Sequence, residues 1–91
     1  MNRIVALTAL SLAVALPGAA WAGANCKAHP KAEWMKESEA QAKIVAEGYA
    51  ISKFKVDGNC YEIYGTNKDG KKVEIYYDTK TLDVVKMETQ K

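Results

Sequence analysis

Turn punctuation constrains this chain more than any other feature. Glycines stand at Gly48, Gly58, Gly65 and Gly70, and the runs between them are only long enough for strands. Two of the breaks are Asp-Gly steps, Asp57-Gly58 and Asp69-Gly70. Such steps signal tight turns because glycine supplies positive φ at no steric cost. The runs on either side carry β-formers: Cys60-Tyr61-Glu62-Ile63-Tyr64 and Lys72-Val73-Glu74-Ile75-Tyr76-Tyr77. Within the second run Val73, Ile75 and Tyr77 share one face, and Lys72, Glu74 and Tyr76 share the other. Residues 49–56 read as an earlier strand whose phase breaks midway. Tyr49 and Ile51 are in one phase and Phe54 and Val56 in the opposite one, which a β-bulge near Ser52-Lys53 reconciles. Residues 65–70 and 78–82 are turns, and residues 83–87 form a fourth strand.

Upstream of the strands the pattern allows one helix. Ser38 is a good N-cap, and Gln41 three positions later completes a capping box. The helix is expected over residues 39–47, with Ala40, Ile44 and Val45 on its apolar face and Lys43 and Glu47 toward water. Gly48 is suited to a left-handed C-terminal cap. The expected fold is therefore α+β: an N-terminal arm and one short helix packed on a four-stranded antiparallel β-meander. Residues 23–36 form the arm, in which Trp34 and Met35 dock on the core; residues 37–87 form the helix and sheet; residues 88–91 form a polar tail. The helix is expected to cover the Tyr61, Ile63, Val73, Ile75 and Tyr77 side. Glu62, Tyr64, Lys72, Glu74 and Tyr76 would then line an open face.

Residues 1–22 have the pattern of a cleaved signal peptide. Arg3 supplies a basic start, an apolar run of 13 residues extends over 4–16, Pro17-Gly18 breaks it, and Ala20-Trp21-Ala22 is a small-x-small cleavage site. The run is shorter than the roughly 20 residues a spanning helix needs, so no membrane insertion is expected after cleavage. Asn25 before Cys26 argues against a lipid anchor. The address is the bacterial periplasm or the exterior, by a Sec-type route.

Cleavage leaves residues 23–91, with twelve lysines, eleven acidic residues and no arginine. A net charge near zero with no basic cluster excludes nucleic acid as a natural partner. The two remaining cysteines, Cys26 and Cys60, are expected to pair in an oxidising compartment. The closed loop of 35 residues makes such a bridge worth about 4 kcal/mol in the chain-entropy account. That is a large fraction of the stability of so small a domain.

Catalytic and metal patterns are thin. The only histidine, His29, stands beside Pro30 and reads as an exposed arm residue rather than a base. Glu62 and Glu74 could face each other across strands, but Lys53 and Lys72 would neutralise them as surface ion pairs. Asn67-Lys68-Asp69-Gly70 resembles part of a calcium loop, yet Gly65 and Tyr76 occupy positions that need acids. Cys26-x-x-His29 lacks a second ligand pair for zinc. Neither a catalytic set, a metal site nor a cofactor is expected.

The ordered set Trp34, Ala40 and Ala42, Gly48-Tyr49-x-Ile51, Gly58-x-Cys60-Tyr61-Glu62-Ile63-Tyr64-Gly65, Asp69-Gly70-Lys71-x-Val73-Glu74-Ile75-Tyr76 and Asp78-x-x-Thr81 resembles the PepSY family in its small exported single-domain members. The similarity spans about residues 34–85. Two positions depart from the family pattern: Thr79 stands where a proline is usual, and Leu82 where a glycine is usual. Leucine resists positive φ, so another geometry is expected in the last turn. The resemblance implies a non-enzymatic module that binds and modulates another envelope protein, a protease or a sensor ectodomain, in the manner of an inhibitor. The alternative is a small-ligand or haem-linked periplasmic sensor or accessory domain, which would need a pocket. Tyr64 and Tyr76 among the charges of the open face suit a protein contact, although ordinary β-propensity also places tyrosine there. Tyr64, Glu74 and Tyr76 are the candidate partner-binding residues. An exposed strand edge could also accept a partner peptide by β-addition.

Overall fold

The structure is a computed structural model and describes residues 23–90; the leader assigned to residues 1–22 lies outside the described residues. A 3₁₀ turn at Lys31–Glu33 interrupts the arm and is followed by helix α1 (Glu37–Ala46). Four strands complete the chain: β1 (Ala50–Asp57), β2 (Cys60–Thr66), β3 (Lys72–Asp78) and β4 (Val84–Thr89). They form one antiparallel sheet in sequence order, β1-β2-β3-β4. The expected one-helix meander is the fold observed.

Helix α1 begins two residues earlier than the capping pattern indicates. Lys36, not Ser38, is the N-cap residue, and its carbonyl accepts the Ala40 N–H at 2.8 Å. The start is set from outside the helix: Met35 N–H donates to the Thr79 carbonyl at 2.8 Å, which pins the preceding residue to the β3–β4 turn. Glu37 and Glu39 then fall in the first turn, where acidic charge complements the exposed N–H groups. Ala40 and Ile44 are fully buried, but Val45 is 55% exposed. The buried stripe is a single i, i+4 row, and Val45, about 100° further round the helix, swings off the sheet. Gly48 closes the helix with φ +106°.

The bulge occurs where the phase break places it. Ile51 pairs with Gly65 and Lys53 with Tyr64, leaving Ser52 as the extra residue. This bulge explains Gly65, which lies inside β2 rather than in the turn. A Cβ built on Gly65 would stand 2.0 Å from the Ala50 carbonyl oxygen, so the two backbones approach closer than any side chain permits. The β1–β2 loop is Gly58-Asn59; only Gly58 has positive φ (+60°), the pattern of a type II′ hairpin turn. In the β2–β3 turn the Asn67 carboxamide oxygen accepts the backbone N–H groups of Asp69 and Lys71 at 2.9 and 3.0 Å.

One face of the sheet carries the core. Tyr61, Ile63, Val73, Ile75 and Tyr77 pack with Ala40 and Ile44, and Trp34, Met35, Tyr49, Ile51, Phe54 and Leu82 close the margins. Trp34 meets Tyr61 edge-on at 5.5 Å between ring centres, and Phe54 lies 5.0 Å from the same ring. The Tyr61 hydroxyl donates to the Met35 carbonyl. Leu82 overturns one expectation: it adopts φ +66°, the left-handed conformation that the family's usual glycine would supply. The Asp78–Leu82 turn keeps its geometry because Leu82 N–H donates to the Asp78 carbonyl, Asp78 N–H donates to the Asp83 carbonyl, and the leucine side chain packs on the core.

Candidate functional site

The second face of the sheet is not open along its length. Cys60 is in phase with Glu62 and Tyr64, so its side chain projects from the face opposite the core. The Cys26–Cys60 disulfide, with 5.4 Å between Cα atoms, therefore lays the start of the arm across that face. Asp78 pairs directly with Cys60 in the adjacent strand, and it receives the arm's next anchor. The His29 ring nitrogen Nε2 stands 2.9 and 3.1 Å from the two Asp78 carboxylate oxygens. The arm then turns round the end of the sheet, where Trp34 donates its indole N–H to the His29 carbonyl at 2.9 Å. One segment thus grips both faces, and His29 is a half-buried clasp rather than an exposed arm residue.

Asp78 is the hub of this clasp. Besides His29, it accepts the Lys80 N–H (2.9 Å), the Thr81 N–H (2.8 Å) and the Thr81 hydroxyl (3.1 Å). Burial alone would raise its pKa. The Thr81 N–H, His29, the Lys80 N–H and the Thr81 hydroxyl together outweigh burial and hold the carboxyl at about 2. The Asp78-x-x-Thr81 spacing is in this sense a local device: the aspartate organises the turn through the two N–H groups that follow it.

Next to the clasp lies a pocket of about 220 Å³ containing two glutamates. Glu62 is 1% exposed, and neither carboxylate oxygen meets a hydrogen-bond donor among the described residues. Lys55 Nζ stands 3.8 Å from Oε1, an ion pair without a hydrogen bond. Lys55 and Lys86 border this pocket, not Lys53 and Lys72, and the pairing is not the surface pairing expected. Burial first, and the Glu74 carboxyl second, push the Glu62 pKa up. Glu74 moves the other way, held down by the Glu62 carboxyl beside it and by the Tyr76 hydroxyl, which donates to Oε2 at 2.8 Å. Of the two glutamates, Glu74 is the one that keeps its charge as pH falls. Tyr76, expected on open surface, is 4% exposed. The arm covers it: Gly23 N lies 3.2 Å from its hydroxyl. Burial and Glu74 raise its pKa strongly.

Beyond the reach of the arm the same face is accessible. A groove of about 340 Å³ crosses all four strands there, from Ser52 through Tyr64, Thr66 and Glu74 to Glu88 and Gln90. Tyr64 is 38% exposed at its lip, with Lys55 Nζ 5.8 Å from the ring centre. The neighbouring Glu62 carboxyl, with lesser contributions from burial and Glu74, raises the Tyr64 phenol to about 12. The candidate contact residues therefore separate: Tyr64 faces solvent, Glu74 is half-buried between groove and pocket, and Tyr76 is sealed under the arm. Sequence reasoning missed the His29–Asp78 clasp and the burial of Glu62. The signal was present in the phase of Cys60, since a bridge from that position can only bring residues 23–29 onto the Glu62 face.

The model of the family PepSY_2, described as peptidase propeptide and YPEB domain, matches residues 5–88. No curated protein and no solved structure matches the chain.

Proposed function

This chain belongs to the PepSY_2 family, and from that premise we propose that it is an exported module that binds another envelope protein, a protease, and restrains it. Domains of this family are generally non-catalytic and propeptide- or inhibitor-like, and typically extracellular or periplasmic. The leader pattern over residues 1–22, cut after Ala22, supports export, and the Cys26–Cys60 bridge fits an oxidising compartment. The contact surface we assign is the groove lipped by Tyr64 and Glu74.

One observation carries this assignment. On a face partly roofed by the arm, Tyr64 is the aromatic side chain left exposed, at the edge of a concave surface with polar residues around it. An aromatic ring with polar neighbours is the composition of a binding hot spot. Tyr76 contributes only by holding Glu74 in place.

The test is capture by the exported protein from its own periplasmic extract, with Tyr64→Ala as the comparison. The proposal expects an enriched protease whose activity the wild-type protein lowers, and about a tenfold or greater loss of affinity with Tyr64→Ala, the scale of a hot-spot truncation above 1 kcal/mol. Equal capture by both proteins, with unchanged melting temperatures, would refute the Tyr64 groove as the contact.

A further inference from the structure

The glutamate pocket has an unbalanced lining. Asp57 from β1, Glu62 from β2, Glu74 from β3 and Glu88 from β4 supply four carboxyl groups, while Lys55 and Lys86 supply two ammonium groups. Glu62 is the most deeply placed of these, and both its oxygens lack a hydrogen-bond donor among the described residues. Its ion pair with Lys55, 3.8 Å from Oε1, brings charge but no hydrogen bond, so a buried carboxylate in that condition remains costly until a donor reaches it.

Tyr64 and Tyr76 also line it, as does Gly23, the residue that follows the Ala20-Trp21-Ala22 cleavage pattern. Its backbone is held at both ends. The nitrogen lies 3.2 Å from the Tyr76 hydroxyl, which itself donates to Glu74, and the carbonyl accepts Lys86 Nζ at 3.1 Å. A Cβ on residue 23 would stand 3.4 Å from an Asp57 carboxylate oxygen, so the glycine backbone lies against β1 as well. We propose that this pocket is the receptor for the chain's own processed N-terminus: removal of the leader at Ala22–Gly23 creates an α-ammonium that docks between Glu62 and Glu74.

The chemistry of processing supplies what the pocket lacks. Hydrolysis adds water across the Ala22–Gly23 peptide bond. The carbonyl carbon gains the hydroxyl oxygen and leaves as the leader's carboxylate, and the nitrogen gains two protons to become –NH₃⁺. Before cleavage that nitrogen is a neutral amide with one N–H. After cleavage it carries a full positive charge and three donors. One donor serves the Tyr76 oxygen, and two become available to the carboxylates. The disulfide at Cys26, three residues on, limits how far the new terminus can stray. Maturation thus finishes the site that the fold prepares.

The inference rests on the export reading of residues 1–22, and the experiment separates the two. The full chain is expressed with its leader, the exported product is purified, and its mass is measured. A product that does not begin at Gly23 overturns both the cleavage site and the docking. With a Gly23 start, an amine-acylating reagent is applied at pH 7 to the folded and the denatured protein, and modification of Gly23 is followed by peptide mass. Docking beside the glutamates expects modification about tenfold slower in the folded state, the equivalent of raising an ordinary α-amino pKa by one unit. Glu62→Gln should bring the folded rate most of the way back. An alanine inserted between Ala22 and Gly23 should do the same by carrying the ammonium out of register. Equal rates in folded and denatured wild type would overturn the proposal, and so would slow modification that persists in both variants.

Discussion

Reducing the Cys26–Cys60 bridge tests the account of the arm most directly. The bridge closes a loop with a sequence separation of 34, for which chain entropy gives about 4 kcal/mol. For a domain of 60–100 residues each kcal/mol corresponds to about 4–8 °C in melting temperature, so reduction should lower the melt by about 15–30 °C. The structure suggests that little relief comes from elsewhere. The His29–Asp78 pair and the Trp34–Tyr61 contact hold the arm at its far end, but residues 23–26 would lose their covalent link to the sheet. The roof over Tyr76 and Glu62 would then lift before the core melts. Thermal unfolding with and without reductant measures the global effect. Emission from Trp34, the one tryptophan in residues 23–91, reports whether the far anchor holds. Melting curves that agree within a few degrees would refute the reasoning. So would a reduced protein whose Tyr76 phenol stayed as protected from titration as in the oxidised form.

Two further perturbations probe the clasp and the bulge. Because the Asp78 carboxyl is held at about 2 in the folded chain and is near 3.9 when unfolded, its contribution is complete above about pH 5 and is lost as pH falls toward 2; the shift corresponds to about 2–3 kcal/mol before solvent screening. Urea midpoints measured from pH 5 to pH 2 should therefore fall less steeply for Asp78→Asn than for wild type, and parallel curves would show that the clasp carries no such linkage. Gly65→Ala places a methyl group 2.0 Å from the Ala50 oxygen and should cost more than 2 kcal/mol or prevent folding, whereas Gly58→Ala and Gly70→Ala, whose Cβ positions are open but whose φ is positive, should cost about 1 kcal/mol each. Equal costs at the three positions, read from denaturant unfolding, would contradict the close approach.

What could be read from the residues divides along physical lines. Strand count, turn positions and the bulge depend on local backbone preferences and on the period of two, and both are written in consecutive residues. Ser38 offers a good cap, but the helix boundary is set by a long-range hydrogen bond between Met35 and Thr79. A period of 3.6 allows Val45 to face inward, yet it lies about 100° round the helix from Ile44 and is 55% exposed. Leu82 shows the opposite failure. Propensity argues against positive φ in leucine, but hydrogen bonds through Asp78 and packing on the core overrule a cost of about 1–3 kcal/mol. The family resemblance carried the fold because its motifs are turn glycines and strand residues. It carries no side-chain chemistry of the second face, since those contacts come from residues 23–29, outside the motifs on which the resemblance rests.

That arm links the stability argument to the functional one. Without it the second face would be an ordinary wet sheet surface, with Glu62, Tyr64, Glu74 and Tyr76 equally accessible. With Cys26 and His29 fixed at Cys60 and Asp78, only part of the face remains available, and Tyr64 stands at the boundary between roofed and open halves. Glu74 belongs to both: its carboxylate accepts the Tyr76 hydroxyl on the roofed side, and it lines the groove on the open side. Any cation that settles against Glu62 under the roof reduces the negative charge Glu74 presents to a partner in the groove. If the proposed partner draws on the Glu74 charge, occupancy of the pocket and affinity at the groove would be coupled through one carboxylate, and reciprocally. Such a partner would loosen a cation beneath the roof, and would be bound more tightly by a chain in which that cation is absent.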